Sequence, residues 1–223
     1  MLAMPRAFAA MPHLILLGDS IFDNGSYTGG KPDVIAQVRE RLPGSWKASL
    51  LAVDGATTRG IPSQLARLPA DASHLVLSIG GNDALGSQQV LRAPAKTVAE
   101  AMILLGDAAG EFEANYRKAI GACLARGLPL VTCTIYNGNF PDRQYQRQTA
   151  AALAAFNDAI IRVGVEHGLT MLDLRQICSR PEDYANPIEP SSIGGAKIAQ
   201  AIVRTVTEPA DGRRGARLLG AAH

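Results

Sequence analysis

Cysteine, histidine, charge and long apolar runs are all scarce in this 223-residue chain. Three cysteines, Cys123, Cys133 and Cys178, are too few and odd in number for a disulfide scaffold, which points to a reducing, cytoplasmic setting. Charged residues make up 19% of the chain, and 22 Lys and Arg against 20 Asp and Glu leave a net charge of +2. That balance excludes a dedicated nucleic-acid arm and an acidic solvating protein. The longest apolar run, residues 150–156, falls far short of the roughly 20 residues needed to span a bilayer. Nucleic acid and membrane are therefore not expected as partners, and the oligomeric state stays open. Histidine, at four residues, is the scarcity with the largest consequence.

What is present describes an ordinary globular chain. Hydrophobic residues reach 47%, and the length suits one domain with a full core. Short apolar runs at 13–17, 47–53, 74–79, 130–135 and 170–174 read as buried strands bounded by Gly, Pro or Asp. The run at 14–17 is too short for the core of a signal peptide and serves better as a first strand. Helical spacing appears between the strands, in 33–42 after Pro32, in Phe112, Tyr116, Ile120 and Cys123, in Leu153, Phe156, Ile160 and Val163, and in 194–207. This alternation predicts a single α/β domain over residues 12–207, a three-layer α/β/α sandwich on a five-stranded parallel sheet. Residues 1–11 form an N-terminal extension and 208–223 a flexible tail.

In such a sheet, ligands sit beyond the carboxyl ends of the strands, where the strand order changes direction. Three motifs fall there. Gly18-Asp19-Ser20 follows the first strand, on a turn that projects a hydroxyl and backbone N–H groups into the crevice. Asp54-Gly55-Ala56 follows the second, with a glycine that allows close backbone approach. Gly80-Gly81-Asn82-Asp83 follows the third and offers a neutral amide donor, suited to a transient negative oxygen. Each motif alone is an ordinary turn. Tyr136 to Pro141 follows the fourth strand and forms one wall of the same pocket, while Asp19, Asp23 and Asp83 fix loop geometry.

Together, the string Gly18-Asp19-Ser20-Ile21-Phe22-Asp23-Asn24-Gly25 and the string Ile79-Gly80-Gly81-Asn82-Asp83 resemble the SGNH/GDSL hydrolase family, over residues 13–206. The resemblance implies a flavodoxin-like sheet, ester hydrolysis, and no metal or other cofactor. It puts Ser20 in the place of the nucleophile, with Gly55 and Asn82 in the places of the oxyanion-hole donors.

The last block departs from the family pattern. Where the family carries Asp-x-x-His ahead of the final helix, this chain has Asn186-Pro187-Ile188-Glu189, within an otherwise intact frame. No other histidine is placed to stand in. His13 and His74 each begin a strand and His167 precedes one, so all three lie at the amino-terminal edge, and His223 is on the tail. A six-residue strand is roughly 20 Å long, far beyond the ~3 Å reach of a general base.

Two options follow. Glu189 is the base, its pKa lifted by desolvation, with Asn186 as a neutral orienter. Alternatively the site is degenerate and binds an acyl or glycan ligand with little turnover. The leading reading is an esterase acting on small-molecule short-chain acyl or acetyl esters through an acyl-serine. A nucleotide binder would need a glycine-rich phosphate loop, and the chain has none.

Overall fold

The computed structural model describes residues 11–208 and 215–221. Its first strand, β1 (His13–Gly18), is buried along its whole length, as a continuous apolar run between two helical layers must be. Around it stand β2 (Lys47–Leu50), β3 (His74–Ser78), β4 (Leu130–Cys133), β5 (Thr170–Leu172) and β6 (Arg217–Leu219). They form one sheet in the order β2-β1-β3-β4-β5-β6, parallel at every pairing. Because β2 lies to one side of β1 and β3 to the other, the crevice between β1 and β3 is the point where the strand order reverses.

The fold is therefore the expected three-layer α/β sandwich, with six strands where five were expected. β6 comes from the segment read as a loose tail. It shows no apolar periodicity because an edge strand needs only backbone pairing on one side. Its register with β5 runs Thr170 to Arg217 through Leu172 to Leu219, and Asp173 N–H donates to the Leu219 carbonyl at 2.7 Å. The predicted N-terminal extension, apart from Met11, and His223 lie outside the described residues.

Two apolar cores flank the sheet. On one face α1 (Val34–Arg41), the short α6 (Leu174–Ile177) and α7 (Ser192–Thr207) bury Val34, Val38, Leu174, Ile198 and Ile202 against Leu14 and Leu16. On the other, α2 (Ile61–Leu65), α4 (Val98–Leu124) and α5 (Arg143–Glu166) bury Ile61, Phe112, Tyr116 and Ile160 against Ile15 and Leu17. The alternation along β1 thus serves both cores. All three cysteines are buried and free.

α4 and α5 run side by side in the same direction, since each leads from the carboxyl edge of the sheet back to a new strand. Arg162 Nη2 meets Glu113 Oε2 at 2.7 Å and Arg117 Nη2 donates to Glu166 Oε1 at 2.9 Å. Half-exposed pairs of this kind add little energy, but they mark where the helices are in register. Their amino-terminal halves reach the carboxyl edge, beside the crevice. α4 begins well before Phe112, the first residue whose spacing announced it, with the Thr97 hydroxyl capping Glu100 N–H.

Candidate active site

The turn after β1 is built for close approach. Gly18 has φ +132°, and a Cβ there would stand 1.8 Å from the Ser78 carbonyl oxygen, so only glycine lets β1 and β3 run this close. The buried Gln64 pins the same residue twice. Gly18 N–H donates to Gln64 Oε1 at 2.8 Å, and Gln64 Nε2 donates to the Gly18 carbonyl at 2.7 Å. Beyond it the Asp19 carbonyl accepts N–H bonds from Phe22 and Asp23, closing one tight turn with Ser20 at its head. The Ser20 side chain reaches the crevice while the residue stays only 7% exposed. Its N–H has no protein acceptor among the described residues.

Ser20 Oγ donates a hydrogen bond to Glu189 Oε1 at 3.1 Å, joining residues 169 positions apart in sequence. Glu189 is not an exposed loop acid; it is 6% exposed. The backbone on either side is clamped. Tyr136 O–H donates to the Ile188 carbonyl at 2.7 Å and Asn24 Nδ2 to the Pro190 carbonyl at 3.1 Å. Asn186 Oδ1 accepts from both Ile188 N–H and Glu189 N–H at 2.9 Å. Asn186 therefore orients Glu189 through its main chain and not by bonding the carboxylate. Burial raises the Glu189 carboxyl to about 6, with the Asp54 charge adding to it and the Ser20 hydrogen bond opposing. Glu189 Oε2 is buried without a hydrogen-bond partner among the described residues.

Asn82 is the second residue of α3 (Gly81–Gly86). Its Nδ2 donates to the Ala56 carbonyl at 2.9 Å, leaving a second amide hydrogen free. Asp83 ties the same two loops together, accepting from Thr58 N–H at 3.0 Å and Thr58 Oγ1 at 2.6 Å. Gly55, at φ +76°, makes the turn in which Ala56 N–H donates to the Val53 carbonyl. Ser20, Asn82 and Glu189 share one cavity, whereas Gly55 is exposed and does not line it, standing in the loop that Asn82 holds. Tyr136, Asn137, Gly138 and Phe140 line the cavity too, as the sequence suggested.

The three flanking acids hold backbone: Asp19 Oδ1 accepts from Ile21 N–H at 3.1 Å, Asp23 Oδ2 from Asp54 N–H at 2.9 Å, and Asp83 as above. Asp19 is a special case. Full burial lifts its carboxyl to about 8, and Glu189 and Asp83 push the same way against the Ile21 N–H bond. An acid whose folded pKa exceeds its unfolded value destabilises the fold as pH rises, because the unfolded chain loses the proton first. The penalty grows from about pH 4 and levels off near 8. Asp19→Asn keeps the acceptor for Ile21 without the charge. It is expected to be more stable than wild type by on the order of 5 kcal/mol at pH 8, with little gain at pH 4, in denaturant titrations at both pH values.

The three described histidines, His13, His74 and His167, are far from this chemistry. His13 and His74 are the first residues of β1 and β3, and His167 ends α5. His13 is fixed by Asp71 and Ser49, each at 2.9 Å, and His74 packs at a tilt of 44° against Trp46 with ring centroids 4.8 Å apart. Two buried residues that carry the site went unflagged in the sequence. Asn24 accepts from Val34 N–H as it holds Pro190. Asp183 gathers Ser179 N–H, Arg180 N–H and the Lys197 ammonium, the last at 2.6 Å, and so shapes the loop before Glu189. The only sequence signal was Lys197, a cation next to the buried Ile198 of the final helix.

Residues 16–194 match the model of the GDSL-like Lipase/Acylhydrolase family. Solved structures of similar fold include an extracellular lipase from Streptomyces rimosus, at 15% identity and TM-score 0.65, covering 88% of this chain and 100% of that one. A phospholipase A1 from Streptomyces albidoflavus NA297 has 16% identity and TM-score 0.65, covering 89% of this chain and 100% of that one. An acetylxylan esterase from Geobacillus stearothermophilus has 17% identity and TM-score 0.59, covering 92% of this chain and 100% of that one. A search of curated protein sequences finds no match.

Proposed function

Because the chain belongs to the GDSL-like lipase/acylhydrolase family, we propose that it is a serine esterase in which Glu189 takes the part that histidine plays elsewhere in the family. The observation that carries this reading is the 3.1 Å bond from the Ser20 hydroxyl to Glu189. It also favours turnover over a binding-only site, since a buried, raised carboxylate aimed at a serine serves proton transfer.

In the first half-reaction Glu189 accepts the Ser20 proton as Oγ attacks the ester carbonyl. The negative oxygen is met by Ser20 N–H, the free amide hydrogen of Asn82 and the Gly55 N–H. Collapse returns the proton from Glu189 to the departing alcohol and leaves an acyl-serine. A water then repeats the sequence, giving its proton to Glu189 and releasing the acid. A carboxyl near 6 suits both directions better than one near 4.5, because it binds the proton more firmly yet stays largely ionised at neutral pH. Short-chain acyl esters of small alcohols, acetyl esters among them, are within its range.

Labelling with a fluorophosphonate tests the assignment. The expected result is one covalent adduct, mapped by peptide mass spectrometry to Ser20, with parallel loss of nitrophenyl butyrate hydrolysis. Activity that persists after complete labelling, or an adduct elsewhere, overturns it. Within the same scheme, Asn82→Ala is expected to lower kcat about 10²–10³-fold with little change in KM, in steady-state kinetics.

A further inference from the structure

The cavity that Ser20 opens into has a volume of about 100 Å³ and runs away from Glu189, between the amino-terminal halves of α4 and α5. Leu105 and Ala108 form one wall, Ala152 and Leu153 the other, and Phe156 closes the inner end, where its ring meets Phe112 at 5.2 Å. Tyr145 O–H donates to Gln88 Oε1 at 3.2 Å, bridging the 3₁₀ turn Gln88–Arg92 to α5 across the solvent side.

Between the helices the polar side chains are spent on the protein itself, and the amides left with bonding capacity, Asn82, Asn137 and Gln88, lie outside α4 and α5. Thr134 Oγ1 donates to Asp173 and accepts from Leu174 N–H. Ser87 Oγ donates to the Asp83 carbonyl, and Thr149 Oγ1 to the Gln146 carbonyl. A sugar lodged between the two helices would leave most of its hydroxyls unpaired, at a cost for each buried polar group. An alkyl chain would lose nothing.

From this, and resting on the esterase reading above, we propose that the cavity holds the acyl chain of the substrate and that the preferred acyl group is of medium length, about six to ten carbons. Direction decides which end of the ester enters. The base returns its proton to the leaving oxygen, so the alcohol must face Glu189, and the acyl group points the other way, into the channel between the helices. Size sets the length. A water-sized group needs about 10–15 Å³ of such space, so the cavity takes roughly seven to ten of them, the ester group at Ser20 included.

The test is a series of nitrophenyl esters from acetate to dodecanoate, set against alkyl acetates in which only the alcohol grows. For the acyl series kcat/KM is expected to rise about two- to fourfold per methylene to a maximum near octanoate and then fall, while the alkyl acetates stay nearly flat. Ala108→Phe narrows the channel and lowers the octanoate-to-acetate ratio at least tenfold. Calorimetry of decanoate with Ser20→Ala reads the channel without turnover and is expected to show binding that hexyl glucoside does not compete away. Acetate preferred over octanoate, a gain that follows the alcohol instead, or no decanoate binding each overturn the proposal. Failure of fluorophosphonate to label Ser20 would instead strike the esterase reading, so the two are separable.

Discussion

Glu189→Gln is expected to lower kcat/KM for a nitrophenyl ester about 10³-fold and to remove its dependence on pH near 6. The substitution keeps shape and volume, and its amide oxygen can still accept from Ser20, but it cannot take up a proton. In the wild type the active form is the carboxylate. Since the carboxyl sits at about 6, activity is retained above that value and lost as pH falls through it, to roughly a tenth of its plateau at pH 5. Without burial the same limb would lie near 4.5. A limb at about 6 that vanishes in the variant is therefore specific to a buried Glu189. Measuring kcat/KM between about pH 4.5 and 8 for both proteins decides the matter, and a loss below tenfold would mean that another group takes the proton.

Ser20→Ala is expected to be more damaging still, about 10⁴-fold or more in kcat/KM, with no burst and no fluorophosphonate adduct. What survives comes from the oxyanion donors and substrate binding acting on an attacking water. The fold should tolerate it, because Ser20 bonds no structural group except Glu189. The cost is local. Glu189 loses the hydrogen bond that holds its pKa down, leaving both carboxylate oxygens unpartnered. Stability at neutral pH is expected to fall by about 1–2 kcal/mol, readable by denaturant titration. The double variant Ser20→Ala/Glu189→Gln should lose far less beyond Ser20→Ala than Glu189→Gln loses alone, since residues that act as a unit are not additive.

The parts legible in the sequence are those where one residue type has one physical use. The apolar run of β1 must be buried on both faces, and glycine at position 18 must precede a turn that no side chain could enter. The misplacement of His13, His74 and His167 followed from strand direction alone. The acyl channel was not legible. Leu105, Ala108, Ala152 and Leu153 have the spacing of a core-facing stripe, and helical periodicity cannot tell a face packed on a neighbour from a face that borders empty space. β6 escaped because edge pairing is a backbone matter. Asn24 and Asp183 escaped because their bonds reach across 166 and 14 residues, respectively, to partners that only the closed fold brings near. Asn186 was read as a neutral orienter of Glu189, but the bonds by which it could act were not legible, since its amide closes a local turn onto the Ile188 and Glu189 N–H groups.

The 169 residues between Ser20 and Glu189 also set a timetable. The nucleophile leaves the ribosome early, on a strand whose neighbours β2 and β3 follow soon after. Glu189, the proposed base, arrives only with the loop that leads into α7. Closing so long a loop is entropically costly and comes late for a topology of distant parallel pairings. A nascent or proteolytically shortened chain that ends before residue 189 thus carries the serine without its partner. On the mechanism proposed above, hydrolysis is expected only once the final helix has docked, so regained activity in refolding would report the last step, not the first.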